Sequence, residues 1–297
     1  MVWMRKVSLR VLTIQKERFL ENWYRFSRNR LSVLGLVILL AIVMVAVLAP
    51  YVTPYPSHAG AFVDFKEASL PPSLTHFFGT DTVGRDIFSR VAFGYRFSLL
   101  IAAVVIGLGV APGVLLGLLA GYYHGTWLDT VIMRITDIFL AVPPLVLALA
   151  ITAMWSPTLF HQMIAIVLVF WPWYSRLVYA MTVSIRNEAF VEEAQLTGVT
   201  TAHILIREIL PNCFSQILTK MTLDMGLVIL VAASLSFVGL GVQPPKPGLG
   251  TMVARGTSTL PGEWWGTVFP ALAIIVIVLA FNLIGDGLRD MFASEEM

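Results

Sequence analysis

The chain has 297 residues, of which 57% are hydrophobic and only 13% are charged. Soluble domains carry about 25% charged residues, so the composition excludes an ordinary soluble protein and indicates an integral membrane protein. The formal net charge is only +2 and defines no class of partner. The single cysteine, Cys213, excludes an internal disulfide and a cysteine-based metal site.

The N-terminal segment, residues 1–30, contains eight of the twenty Lys and Arg residues, opposed by only two glutamates. The positive-inside rule predicts that this basic segment is cytoplasmic. The apolar run that follows, residues 31–50, has about the 20 residues needed to cross a membrane and is longer than the apolar part of a signal peptide. It is therefore predicted to be a retained first transmembrane helix.

A polar segment, residues 51–96, follows the first span and is predicted to be extracytoplasmic. Asp81 or Thr82 is placed to cap a short helix that carries Ile87 and Phe88 on one side. This pattern predicts a helix lying in the membrane interface before the next span. A plain soluble loop is the alternative.

The second predicted span, residues 97–120, is distinguished by glycines that recur every fourth residue. This spacing places them on nearly one helix face, where the missing side chains allow another backbone to approach closely. The face is predicted to be a helix-packing surface rather than a pore lining. Its members are Gly109, Gly113, Gly117 and Gly121.

Four further spans complete a membrane core over residues 97–290, and the tail 291–297 is predicted to be cytoplasmic. The third span contains Pro143-Pro144, which must break the backbone hydrogen-bond ladder. Six spans with an internal N-terminus place the segments 51–96, 154–162 and 241–266 outside. The last four spans are predicted at residues 128–153, 163–183, 222–240 and 267–284.

The segment 184–212 is the longest polar stretch in the second half of the chain. Asn187 is predicted to cap a first short helix, with Glu188 and Glu192 in its first turns, where the helix dipole favours anions. Gly198 can adopt a positive φ angle and end that helix.

A second short helix is predicted to begin at Thr200 or Thr201 and to end at Pro211, because a proline cannot donate the next backbone hydrogen bond. Two short helices joined at a glycine form a surface that another protein could bind. On local chemistry alone, a solvated loop with ordinary caps explains the segment equally well.

Catalytic and nucleotide-binding motifs do not occur in the sequence. There is no phosphate-binding loop of the form GxxxxGK[ST], no GxSxG elbow and no histidine spacing typical of a metal site. Carboxylates that could couple transport to ions are few: Asp137, Asp224 and Asp286. The energy for any transport would therefore have to come from elsewhere, which favours the docking role of residues 184–212.

Several motifs in order resemble the inner-membrane permease subunits of binding-protein-dependent ABC importers. The family signature E-A-A-x-x-x-G is matched by Glu192, Ala194 and Gly198, with Glu193 in place of the middle alanine. The resemblance is to the second permease type of the dipeptide/oligopeptide/nickel branch. Other segments typical of that branch are Gly79-Thr80-Asp81, Gly84-Arg85-Asp86, Ser89-Arg90, Leu235 to Gly241, and Gly285 to Asp290.

The resemblance implies an all-α polytopic membrane protein with six transmembrane helices and the type I importer permease (MetI-like) fold. It also implies a second homologous permease, two cytoplasmic ABC ATPases that bind the ATP and Mg²⁺, and an extracytoplasmic solute-binding protein. The chain itself would hold no cofactor and no metal. Peptides are the commonest cargo of the branch, although nickel, glutathione and oligosaccharides are also carried.

The resemblance assigns roles to two groups of residues. Glu192 would fix the first coupling helix, Gly198 would form the turn and Ala194 would allow close approach to an ATPase. The expected coupling residues are Glu188, Glu192, Glu193, Ala194, Gly198, Leu210 and Pro211, and the expected external gate or binding-protein contacts are Asp81, Arg85, Asp86, Pro244 and Pro245.

Two alternative functions remain open from the sequence. One is a secondary transporter or channel that works alone, and the other is a membrane scaffold that only recruits a cytoplasmic partner.

Overall fold

The computed structural model describes residues 23–293, which fold into helices joined by turns. Within this range the only extended pairing is an isolated bridge between Thr80 and Asp86. We name the helices α1 (Arg30–Val52), α2 (Ile87–Tyr122), α3 (Trp127–Leu140), α4 (Pro144–Ala153), α5 (Leu159–Ile185), α6 (Ala189–Leu196), α7 (Thr201–Phe237), α8 (Leu249–Thr257) and α9 (Trp265–Ala293).

Five of the helices in the described range, α1, α2, α5, α7 and α9, are long and apolar enough to cross a membrane. The pair α3 and α4 gives a sixth span if it is counted as one, but it bends by 87° between Leu140 and Pro144. The break predicted at Pro143-Pro144 is therefore confirmed. A proline ring has no N–H to continue the ladder, and Pro144 instead starts α4.

The second span begins far earlier than predicted, because α2 is one helix of 36 residues. The prediction of a separate interfacial helix capped by Asp81 or Thr82 is therefore wrong. Asp86 is the cap instead: its Oδ2 accepts from the backbone N–H of Ser89 at 2.7 Å. At 1.5 Å per residue α2 is about 54 Å long. This exceeds the ~30 Å hydrocarbon core, so one end stands outside the apolar layer.

The glycine face of α2 packs against α5. A Cβ atom added to Gly117 would lie 2.6 Å from the Ser175 carbonyl oxygen, and one added to Gly121 would lie 2.6 Å from Thr182 Cβ. Gly113 is closer still to α5, whereas a Cβ at Gly109 would meet nothing nearer than 3.9 Å. Close backbone contact thus occurs along three of the four positions, because only glycine leaves the room for it.

The centre of the molecule is an apolar cluster shared by α2, α5 and α7. Ile106, Phe170 and Leu235 are each at most 1% exposed and represent the three helices. A second cluster on the same three helices extends to α6. The spans are therefore one packed unit, and a displacement of one helix is transmitted to the others.

The fifth span differs most from its prediction, because α7 runs unbroken from Thr201 to Phe237. Pro211 does not end a helix. The preceding turn, Ile204–Ile209, is a π-helix in which the N–H of Leu210 donates to the Leu205 carbonyl five residues back. The wider turn gives room for the proline ring, which in a regular α-helix clashes with the carbonyl of residue i−4.

Most of the basic N-terminal segment and the end of the tail, residues 1–22 and 294–297, lie outside the described residues.

Candidate functional site

The inner surface, which we define as residues 186–209, comprises α6, the turn after it and the first turns of α7. α6 starts later than predicted, because Glu188 rather than Asn187 is in the N-cap position, with φ −75° and ψ 147°. The Glu188 side chain makes no capping bond. Its backbone N–H donates to the Ile185 carbonyl at 3.0 Å and turns the chain out of α5.

Gly198 ends α6 in the left-handed conformation predicted for it, with φ +77°. Its N–H donates to the Gln195 carbonyl at 3.1 Å, and the N–H of Val199 donates to the Ala194 carbonyl at 3.3 Å. These two bonds form a Schellman motif, which satisfies the last carbonyls of a helix. A Cβ atom at Gly198 would meet nothing within 4 Å, so its backbone conformation, and not lack of space, favours glycine here.

The buried side of α6 connects the inner surface to the spans. Val191 is fully buried and packs in one cluster with Ile204 and Ile209 of α7, Leu118 of α2 and Val178 of α5. The half-buried Ala194 packs on the same cluster. Any force on α6 therefore acts through Val191 on three membrane helices.

The solvent-exposed side of α6 and the start of α7 carry apolar side chains beside carboxylates. Leu196 is 88% exposed and Ile206 57% exposed, and Phe190 is also exposed. Glu192 and Glu193 are exposed on the same short helix. Large apolar side chains clustered with charges on a surface are typical of a protein-binding site rather than of a solvated loop.

Arg186 fixes the inner surface to the end of α2. Its Nη1 donates to the Tyr122 carbonyl at 3.0 Å, and the Gln195 amide donates to the Tyr122 hydroxyl at 3.2 Å. A cation at this position stabilises the negative end of the α2 dipole. With Asn187 and Glu192 these residues line a polar cleft of about 290 Å³.

The outer cap, which we define as residues 53–90 and 241–264, packs over the opposite end of the spans. Its centre is the buried Asp86 carboxylate, whose Oδ1 lies 2.9 Å from His76 Nδ1 and whose Oδ2 accepts from Ser89. The N–H of Asp86 donates to His58 Nδ1 at 2.9 Å, so that nitrogen carries no proton. Burial lowers the pKa of His58.

The residues predicted as external contacts are brought together in the cap. Arg85 donates from Nε to Asp81 Oδ2 at 2.8 Å. Arg90 belongs to the family motif Ser89-Arg90 but was not predicted as an external contact. It donates from Nη1 to the His58 carbonyl at 2.9 Å and reaches the Pro245 carbonyl at 3.4 Å. Pro244 and Pro245 are exposed, whereas Asp86 and Arg85 are only 1% and 5% exposed.

Two ion pairs join charged residues of the membrane helices. Asp137 of α3 pairs with Arg176 of α5, and Lys220 of α7 pairs with Asp224 one turn later, at 3.1 Å. The third intramembrane candidate, Asp286, is exposed near the end of α9. The sequence analysis considered only carboxylates and did not predict that Arg176 and Lys220 pair with them. The i,i+4 spacing of Lys220 and Asp224 is nevertheless typical of an ion pair on one helix.

Comparison with family models gives two matches. Residues 113–295 match the binding-protein-dependent transport system inner membrane component, and residues 18–72 match the N-terminal transmembrane domain of oligopeptide transport permease C.

Similar curated proteins are permeases of peptide transport systems. A dipeptide transport system permease of Alkalihalophilus pseudofirmus is 40% identical over 91% of this chain and 88% of its own. A glutathione transport system permease of Pectobacterium atrosepticum is 38% identical over 97% and 96%. A di/tripeptide transport system permease of Pseudomonas aeruginosa is 42% identical over 91% and 90%.

Among solved structures, the inward-facing MetNI methionine ABC transporter has a chain similar in fold, with a TM-score of 0.59 and 18% identity. The match covers 70% of this chain and 97% of that one, and at this identity it shows the fold alone. Together with the sequence matches it confirms the all-α permease fold. The chain belongs to the family of binding-protein-dependent transport system inner membrane components, the permease subunits of ABC importers.

Proposed function

We propose that this chain and a second homologous permease form the translocation path of an ATP-driven importer of short peptides. The names of the similar proteins state their cargo as dipeptides, di/tripeptides or glutathione. All of these are short peptides with free ammonium and carboxylate groups. This shared chemistry favours peptides over nickel or oligosaccharides as the cargo.

The partners follow from the family. Two cytoplasmic ABC ATPases would bind ATP and Mg²⁺ and hydrolyse the ATP, since this sequence has no phosphate-binding loop. A solute-binding protein would deliver peptide to the outer cap, where the exposed Pro244 and Pro245 and the partly exposed Asp81 are accessible. Both termini would be cytoplasmic, and the chain would lie in the inner membrane.

The single observation that carries the proposal is the construction of the inner surface. The solvent-exposed side of α6 offers Leu196 and the carboxylates Glu192 and Glu193 for docking, while Val191 on the opposite side is buried against three spans. A short helix seated in an ATPase groove would thus transmit the closing of the ATPase pair to the spans as a rigid-body movement. Leu210 and Pro211 lie inside α7, so that its first turns would move with the span.

Gly198 allows a direct test, because its positive φ sets the corner between α6 and α7. We expect Gly198→Val to abolish peptide uptake, since a β-branched residue is strongly disfavoured at positive φ. Gly198→Asn should retain most uptake, because asparagine tolerates that conformation. Uptake of labelled dipeptide into cells and the amount of subunit in the membrane are measured together.

Gly125→Val is the matched control. Gly125 has φ +85°, and a Cβ atom there would also meet nothing within 4 Å, but it lies outside residues 184–212. It should lose much less uptake than Gly198→Val at equal membrane content. Normal uptake in Gly198→Val would overturn the coupling role.

A further inference from the structure

Four charged side chains of α3, α5 and α7 form two ion pairs, one through Arg176 of α5 and one beside Trp173 of the same helix. On α5, Trp173 and Arg176 are one turn apart. Arg176 pairs with Asp137, and the Lys220 ammonium lies 5.4 Å above the Trp173 ring. Lys220 also pairs with Asp224 on its own helix, at 3.1 Å. Two cations and two carboxylates from α3, α5 and α7 therefore lie along one side of α5.

This group lies deep along the helices. Arg176 is about 26 Å from the start of α5 at Leu159, and Lys220 is about 26 Å from the end of α7 at Phe237, at 1.5 Å per residue. A hydrocarbon core is ~30 Å thick. With the proposed topology, both cations therefore lie at one depth, in the inner part of the membrane.

The group is also accessible from outside the chain. The side chains of Arg176 and Asp137 are 43% and 42% exposed and that of Lys220 is 25% exposed, whereas the Asp224 side chain is buried at 9%. Charged side chains are costly against lipid and face a water-filled cavity or other protein groups when they occur in spans. The side of the molecule that carries them is therefore unsuited to lipid, in contrast to α1, where exposed side chains such as Leu40 and Met44 are apolar.

We propose that the Asp137–Arg176 pair and Lys220, which the buried Asp224 holds in place, line the inner part of the translocation path and contact the free carboxylate and ammonium groups of a passing peptide. The choice of peptide as the ligand rests on the proposed function. The exposed Asp137–Arg176 pair offers one cation and one anion, so a zwitterionic peptide can exchange partners with it without leaving a net charge unpaired. Contacts of this kind favour entry of the peptide into the path yet allow its release, as passage of a solute requires.

Water accessibility tests the location of the path. In a Cys213→Ala background, Trp173→Cys is treated with a membrane-impermeant, charged methanethiosulfonate in inside-out vesicles that contain the complete transporter. We expect rapid labelling, because position 173 faces the path. Leu40→Cys is the matched control. It lies about 15 Å from the start of α1, against about 18 Å from Trp173 to the end of α5, and it should remain unlabelled.

Charge variants test the contact with peptide. Arg176→Lys keeps the cation and should retain uptake of a zwitterionic dipeptide, whereas Arg176→Gln should lower uptake about tenfold through the loss of one charge-assisted contact. The double variant Asp137→Asn/Arg176→Gln separates the roles. If the pair served only to hold α3 against α5, neutralising both partners would restore uptake. If the pair contacts cargo, uptake stays low.

The possible results are distinct. Labelling at position 173 and low uptake in the double variant support the proposal. Absence of labelling at position 173 while wild-type vesicles import dipeptide overturns the path but leaves the proposed function intact. Labelling at position 173 in a transporter that imports no dipeptide overturns the peptide contact and the proposed cargo. Restored uptake in the double variant overturns the contact alone.

Discussion

In the outer cap, Asp86 and Arg85 are 1% and 5% exposed and are bonded to histidine, serine and aspartate side chains of the same chain. On the inner surface, Glu192 and Glu193 are exposed beside the almost fully exposed Leu196. The outer cap thus satisfies its polar groups internally, whereas the inner surface leaves its groups for a partner. The difference indicates that the charged centre of the cap is held within the chain, whereas the carboxylates of the inner surface remain accessible to a partner.

The largest expected effect follows from removing the centre of the outer cap. Asp86→Ala leaves His76 and Ser89 without their buried partner and should lower the free energy of unfolding by about 3 kcal/mol. Glu193→Ala on the inner surface should change it by less than about 0.5 kcal/mol. Thermal unfolding of the solubilised transporter measures both, and equal losses would remove the distinction between the two regions.

A smaller effect is expected where the inner surface meets the spans. Val191 is fully buried, so Val191→Ala should cost about 2 kcal/mol of stability. It should also lower the peptide imported per ATP hydrolysed, because α6 loses its anchor in the span cluster.

Leu196→Ala provides the contrast for that variant, because Leu196 is 88% exposed. It should leave stability unchanged and weaken ATPase binding instead, measured by co-purification of the ATPases. A loss of stability in Leu196→Ala with normal ATPase binding would contradict the docking role.

The smallest effect is a pH dependence of the outer cap. Burial lowers the pKa of His58, so the unfolded chain binds a proton more readily than the folded one. Stability is therefore present above the unfolded pKa of about 6.5 and falls as the pH drops below it.

His58→Gln should reduce that dependence, because a glutamine carbonyl can accept the Asp86 N–H bond without titrating. The comparison is the change in Tm between about pH 7.5 and about pH 5.5 in the two proteins. An identical change in both would show that His58 does not contribute.

Features set by local chemistry were predictable from the sequence. The positive φ of Gly198 and the break at Pro143-Pro144 each follow from the conformations that single residues allow. The glycine face of α2 followed from its period of four. The spans were recognisable because their apolar runs match the membrane thickness, and the motif order indicated the family.

Features set by context were not predictable. Nothing in the sequence around Pro211 indicates that a π-helical turn precedes it and that α7 therefore continues through the proline. Asp81 and Asp86 are equally good caps by residue type, and the contacts of Asp86 with His76 and His58 decide between them. Those partners lie 10 and 28 residues away along the chain, so no local pattern indicates them.

The energy source of transport tests the account most directly. Proteoliposomes that contain the complete transporter and external loaded binding protein are supplied with internal ATP, with ADP, or with ATP plus an uncoupler. The account predicts uptake that requires ATP, survives the uncoupler and disappears in Gly198→Val. Uptake that persists without ATP and collapses with the uncoupler would contradict it and identify a secondary transporter.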